Sequence, residues 1–269
     1  MHFRNQIFNA DCLEILDKIP AESIDCVISD VPYKIVTNGC RTEETERADD
    51  PKGIFNRRIV PKNDKIKSKW VKRNQNEDNA LFLRKGQLFE FCDIEFSQWL
   101  PEVFRVLKNG THAYFMINSR NENELYNECI KAGFKFVNKL VWIKNNATPN
   151  KYYMQQCEFI LMFRKGSARN INNMGATNVL QVPNIIGNKQ HPTQKPIALM
   201  SIMILNSTNG NEIVLDPFMG CGSTCISAKQ NNRQYCGIEI DKKYFDIAEK
   251  KLNSIQTKEK TQQISLFKE

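Results

Sequence analysis

Two short stretches set an acid where a strand meets a turn. The first is Asp216-Pro217-Phe218-Met219-Gly220-Cys221-Gly222-Ser223-Thr224. The apolar run before it, 211–215, reads as a buried strand, and 225–230 reads as the start of a helix. A glycine-bearing turn between strand and helix lets backbone approach a ligand and aims the helix N-terminus at it. An acid at the strand tip repels a pyrophosphate and suits a cationic or zwitterionic ligand. The following strand, 234–240, ends in Glu239-Ile240, and an acid at that point holds ribose hydroxyls. The second stretch is Asp30-Val31-Pro32-Tyr33, after the apolar strand 24–29. Each stretch alone reads equally well as a plain turn. Together they would lie at the C-terminal ends of neighbouring strands, where open α/β sheets bind ligands.

The pattern Asp-Pro-Phe-x-Gly-x-Gly-Ser-Thr resembles the cofactor loop of the β group of amino-DNA methyltransferases, and Asp30 to Tyr33 resembles their Asp-Pro-Pro-Tyr motif with Val31 for the first proline. The resemblance implies S-adenosylmethionine as cofactor. Asp216, Pro217, Phe218, Gly220, Gly222, Ser223 and Thr224 would wrap its methionine part, and Glu239 with Ile240 would hold its ribose. Asp11 reads by itself as a helix N-cap. The resemblance adds that Asp11-Cys12 lies where the family recognises the cofactor's adenine. His191-Pro192-Thr193-Gln194-Lys195-Pro196 is similar to a cofactor-proximal motif of the family, which implies Thr193 and Lys195 near the cofactor and a structural His191. No metal is implied, and His191 has no partner at ligand spacing.

The chemistry of the second stretch follows from its residues. The exocyclic amine of a nucleobase is a poor nucleophile because its lone pair is delocalised into the ring. Two acceptors on its hydrogens, the Asp30 carboxylate and the Val31 carbonyl, would localise that pair. A backbone carbonyl survives the change from proline to valine. Tyr33 would stack on a base that has left the duplex, an interaction worth about 1–3 kcal/mol. The leading Asp points to adenine N6. Ser29 before it keeps cytosine N4 as the alternative, because N4 enzymes of this type carry Ser-Pro-Pro-Tyr. A decayed DNA-binding regulator and an RNA or protein methyltransferase are further alternatives.

The elements that must position these residues alternate. A strand at 3–9, a helix after Asp11 and the strand 24–29 come first. Phe96, Leu100, Val103, Phe104 and Leu107 fall at helical spacing, with Gly110 suited to a C-cap. Strands at 111–117, 136–144 and 158–164, a helix at 121–132, and helices at 197–206 and 241–254 complete the pattern. The expectation is a Rossmann-like α/β fold: a seven-stranded methyltransferase sheet, helices on both faces. The motif order, catalytic before cofactor, implies the circularly permuted form.

The chain of 269 residues suffices for one catalytic domain over 1–254, with a flexible tail over 255–269. Its net charge of +8 is concentrated: residues 51–85 carry 11 Lys/Arg against 3 Asp/Glu. That stretch lies in an inserted loop, 34–91, and suggests a polyanion partner. Arg57, Arg58, Lys62, Lys65, Lys67, Lys69, Lys72 and Arg73 are the expected contacts to double-stranded DNA. An Asn-rich segment, 145–190, with Tyr152, Tyr153, Gln155 and Gln156, falls where the family reads its target. Nine scattered cysteines without a Cys-x-x-Cys pair fit reduced thiols in a cytoplasmic protein of bacterial or phage origin. No long apolar run or leader is read, so no membrane partner is expected. Gln263-Ile264-Ser265-Leu266-Phe267 resembles the peptides that bind the replication sliding clamp. Relatives in this group often form homodimers.

Overall fold

In the computed structural model the described residues are 2–32, 94–148, 152–187 and 194–255. Tyr33, the basic loop, His191, Thr193 and the tail 256–269 lie outside them.

Eight strands are built from these residues: β1 (Gln6–Asn9), β2 (Ile24–Asp30), β3 (Leu107–Ile117), β4 (Lys135–Thr148), β5 (Gln155–Arg164), β6 (Val179–Gln181), β7 (Ile213–Asp216) and β8 (Gln234–Glu239). Their order in the sheet is β1-β8-β7-β2-β3-β5-β4-β6. The sheet is parallel from β1 to β3, and β5 runs antiparallel to both β3 and β4. The expected seven strands become eight because Val179–Gln181 adds to the outer edge of β4, where Leu180 is buried. A three-residue strand is too short to show a period in sequence.

Among the described residues six helices flank the sheet: α1 (Cys12–Lys18), α2 (Phe96–Val106), α3 (Glu122–Lys131), α4 (Ile197–Ser207), α5 (Ser223–Gln230) and α6 (Lys242–Ser254). Side chains alternate along a strand, so each central strand feeds two cores. Val27, Phe115 and Leu215 pack with Leu16, Trp99, Leu100, Val103 and Leu125 from α1, α2 and α3. Cys26, Ile28, Tyr114, Met116 and Val214 pack with Met200, Met203, Ile226, Ala248 and Leu252 from α4, α5 and α6. Helices therefore cover both faces, as expected. Among the described residues no helix is long and apolar enough to cross a membrane.

The apolar spacing of α2 is read correctly in sequence, but its end is not. The helix stops at Val106, and Leu107 opens β3. Gly110 caps nothing. With φ of +84° it sits inside β3, where the β2–β3 register shifts between Ile24 and Cys26. Its N–H donates to the Lys165 carbonyl. A glycine at positive φ serves a strand irregularity as well as a helix terminus.

The topology matters for function at one place. From β7 the chain passes to β8 on one side, and from β2 it passes to β3 on the other. Strands β7 and β2 are themselves paired, Cys26 with Val214 and Val27 with Leu215. The adjoining C-terminal ends of these two strands are the switch point at which such sheets bind ligands. Asp216 and Asp30 are the last residues of these two strands.

Candidate active site

Asp216 is buried and heavily bonded. Its carboxylate accepts from the Ser29 hydroxyl at 2.7 Å, from the Phe218 N–H at 3.1 Å, and from the Thr224 side chain. Burial nonetheless pushes it up to about 6, with Asp30 nearby adding to the rise. Pro217 is buried behind it, and Phe218 lies edge-on to Trp99 with ring centroids 5.1 Å apart. The turn closes through the Gly222 N–H on the Met219 carbonyl at 2.8 Å. Gly220 and Gly222 both have positive φ, and a Cβ on Gly222 would meet the Ala248 methyl at 2.9 Å. Gly222 caps α5, whose first residue, Ser223, donates its hydroxyl to the Lys195 carbonyl at 3.0 Å.

Glu239 ends β8. One of its oxygens accepts from the Gly220 N–H at 2.9 Å and the other from the Asp241 N–H at 2.8 Å. Burial raises it to about 7 despite those bonds. The strand pairing of Asn9 with Glu239 brings the end of β1 alongside. The Asn9 amide donates to the carbonyls of Glu239 and Ile240, at 2.9 and 3.1 Å. Asp11 follows and accepts from the Leu13 N–H at 2.8 Å, so it is an N-cap, as its residue type suggests. Cys12 is buried, and its thiol is pushed up to about 12 by burial and by Asp11. It is packed rather than reactive.

Asp30 has a different environment. Its carboxylate meets the Lys195 ammonium at 2.6 Å. That ammonium lies 3.3 Å from Glu158, and Glu158 meets Lys144 at 3.1 Å. Lys195 and Lys144 are only 8% and 7% exposed, which requires that their charges be matched. Val31 is buried in the core that holds Trp99 and Leu100, and its N–H reaches the Met116 carbonyl at 3.4 Å. The side chain that replaces the family's proline thus has an apolar seat. Pro32 follows, half-buried.

The structure therefore brings Asp30, Lys195, Asp216 and Ser223 together at the ends of β2 and β7, and the Gly220 N–H ties the loop to Glu239. Sequence reasoning missed Glu158 and Lys144. The available signal was an acid opening the otherwise apolar strand 158–163 and a lysine near the end of an apolar one. Asp216 and Glu239 are two carboxylates that burial holds above their usual range. A ligand with a positive charge and hydroxyl donors relieves both, so the residues fit S-adenosylmethionine. Among the described residues no group of His, Cys, Asp or Glu could hold a metal ion.

Residues 24–250 match the family model described as DNA methylase. The chain belongs to the DNA methylase family. It is a DNA methyltransferase, and the two strand-end acids fall inside the matched region. The Type II methyltransferase M.HinfI of Haemophilus influenzae is 29% identical, over 94% of this chain and 70% of its own. The Type II methyltransferase M2.LlaDCHI of Lactococcus lactis subsp. cremoris is also 29% identical, over 92% of this methyltransferase and 88% of the relative. Among solved structures, the M1.HpyAVI–SAM complex has a TM-score of 0.61 at 24% identity, covering 91% of this chain and 98% of that one. PvuII DNA methyltransferase, described as cytosine-N4-specific, has a TM-score of 0.64 at 16% identity, covering 96% and 90%. At these identities the structural likenesses establish the fold of the methyltransferase, which is the α/β architecture expected from sequence.

Proposed function

We propose that this methyltransferase moves the methyl group of S-adenosylmethionine to the N6 amine of an adenine turned out of double-stranded DNA. One observation carries the choice of base. The Asp30 side chain keeps 23% of its surface exposed, whereas Ser29 is fully buried and donates its hydroxyl to Asp216. So buried, the Ser29 oxygen is out of reach of a cytosine amine.

The roles follow from this reading. Asp30 accepts one amine hydrogen and the Val31 carbonyl accepts the other, which localises the nitrogen lone pair. Pro32 stiffens the turn, and Tyr33 stacks on the base. Asp216, Pro217, Phe218, Gly220, Gly222, Ser223 and Thr224 form the cofactor loop, and Glu239 takes ribose hydroxyls beside Ile240. Asp11 and Cys12 border the adenine end, and Thr193 and Lys195 flank the methionine end. When bound, S-adenosylmethionine supplies an electrophilic methyl on sulfur. The protein supplies orientation and acceptors, with no covalent enzyme intermediate.

The test is methyl transfer from labelled S-adenosylmethionine to unmethylated genomic DNA, followed by nucleoside analysis. N6-methyladenine is the expected product. N4-methylcytosine would overturn the reading of Ser29 and Asp30. In the same assay Asp30→Asn is expected to lower transfer at least about a thousandfold while cofactor binding persists.

The reading extends to segments outside the described residues. Arg57, Arg58, Lys62, Lys65, Lys67, Lys69, Lys72 and Arg73 contact phosphates. Gln263-Ile264-Ser265-Leu266-Phe267 docks on the sliding clamp, which titration of a labelled tail peptide tests. A homodimer is tested by sedimentation of the purified chain. The bacterial relatives fit a cytoplasmic location.

A further inference from the structure

The ion chain behind Asp30 joins four elements that are far apart in sequence. Asp30 ends β2, Lys195 precedes α4, Glu158 lies on β5 and Lys144 on β4. The sheet puts them together. Asp30 pairs with Met116, Met116 with Ile160, and Glu158 stands two residues before Ile160 on the same face. Glu158 is itself opposite Trp142, two residues before Lys144. The charges alternate: carboxylate, ammonium, carboxylate, ammonium. Burial would raise Glu158, but Lys195 and then Lys144 more than offset it and hold it below its ordinary value. It therefore remains an anion 3.3 Å from the ammonium that also holds Asp30.

This arrangement bears on a difficulty of the reaction. Asp30 must accept from the target amine, yet a lysine 2.6 Å away competes for the same carboxylate. Positive charge also passes from sulfur to the amine nitrogen as the N–C bond forms and the C–S bond breaks. An unbalanced ammonium beside that nitrogen would oppose this. Glu158 divides the hold of Lys195 and returns the local charge toward neutral, and Lys144 gives the half-buried Glu158 a second cation.

We propose that Glu158 is a positioning residue for methyl transfer, acting through Lys195 to keep the Asp30 carboxylate available to the target amine. The inference rests on the reading of Asp30 given above. It is tested on the full chain with Glu158→Gln, which keeps shape and removes charge, and Glu158→Asp, which keeps charge. Single-turnover transfer, KM for DNA, S-adenosylmethionine affinity by calorimetry and thermal midpoint are measured for each. Expected is a fall in the transfer rate of about tenfold or more for Glu158→Gln, a much smaller fall for Glu158→Asp, and little change in KM, cofactor affinity or midpoint. Wild-type transfer by Glu158→Gln would overturn the proposal. So would a loss confined to KM, or equal losses in both variants with lowered midpoints, which mark a binding contact or a structural role. Asp30→Asn run alongside separates the two readings. If it stays active, the assignment of Asp30 fails; if it is dead while Glu158→Gln is unimpaired, only the inference about Glu158 fails.

Discussion

Glu239 and Asp30 both end strands, but they meet opposite electrostatic situations. Asp30 has Lys195 against it, whereas Glu239 has only backbone N–H donors and is raised to about 7 by burial. Its folded value lies above its ordinary 4.5, so the cofactor-free fold prefers the protonated acid. The contribution of Glu239 to stability is therefore present at low pH and is lost as pH rises from about 4.5 through about 7. Ribose hydroxyls donate to the ionised form, so binding releases a proton. Cofactor affinity is expected to rise about tenfold between pH 6 and 8, and Glu239→Gln to flatten that rise. Calorimetry in two buffers of different ionisation enthalpy measures both the affinity and the proton released. No proton release near pH 6.5 would remove Glu239 from the ribose site. Asp30, Asp216 and Glu239 were legible in sequence because each ends a short apolar run. Glu158 was not, because its partner Lys195 is joined to it only through the fold.

At the scale of elements, the strand–turn–helix unit of β7 and α5 was legible from its glycines, and for a steric reason. Gly222 has φ of +78° and faces the Ala248 methyl of α6, so neither its backbone nor its surroundings admit a side chain. Gly222→Ala is expected to cost about 1–3 kcal/mol, from the left-handed conformation and the overlap together. Gly210 is the control: it precedes β7, its backbone shows no positive φ, and nothing lies within 4 Å of an added Cβ. Gly210→Ala is expected to be neutral or to stabilise by a few tenths of a kcal/mol, about 0.4 at least if the unfolded chain is restricted. Urea unfolding without cofactor reads both. Equal effects would mean that the loop can open without strain. The same letter misled at Gly110. A Leu-Lys-Asn-Gly string matches a helix end, and only pairing of Leu107 with Ile24 shows that a strand has already begun. Local sequence cannot see that pairing, because β2 lies some eighty residues earlier in the chain.

At the scale of the whole molecule, charge and catalytic machinery are separated along the chain. The strand-end acids stand at 30 and 216, while the net charge of +8 equals the surplus in residues 51–85, 11 Lys/Arg against 3 Asp/Glu. The ion chain itself is balanced, since each of its buried lysines has an acid beside it. On the proposed reading, attraction to the phosphate backbone comes from the basic segment. Each phosphate neutralised contributes about 0.9 to the slope of log affinity against log salt on duplex DNA. Replacing Arg57, Arg58, Lys62, Lys65, Lys67, Lys69, Lys72 and Arg73 by Gln is therefore expected to make that slope shallower by several units and to weaken binding to all duplex sequences alike. Cofactor affinity is expected to stay within about twofold, because Asp216 and Glu239, proposed to hold the cofactor, are not among the residues replaced. Fluorescence anisotropy of a labelled duplex across a salt series measures the slope, and calorimetry measures the cofactor. An unchanged slope would move the phosphate contacts onto the described fold, with the hairpin of β4 and β5 the first place to look: Tyr152 and Tyr153 at its tip are 82% and 89% exposed.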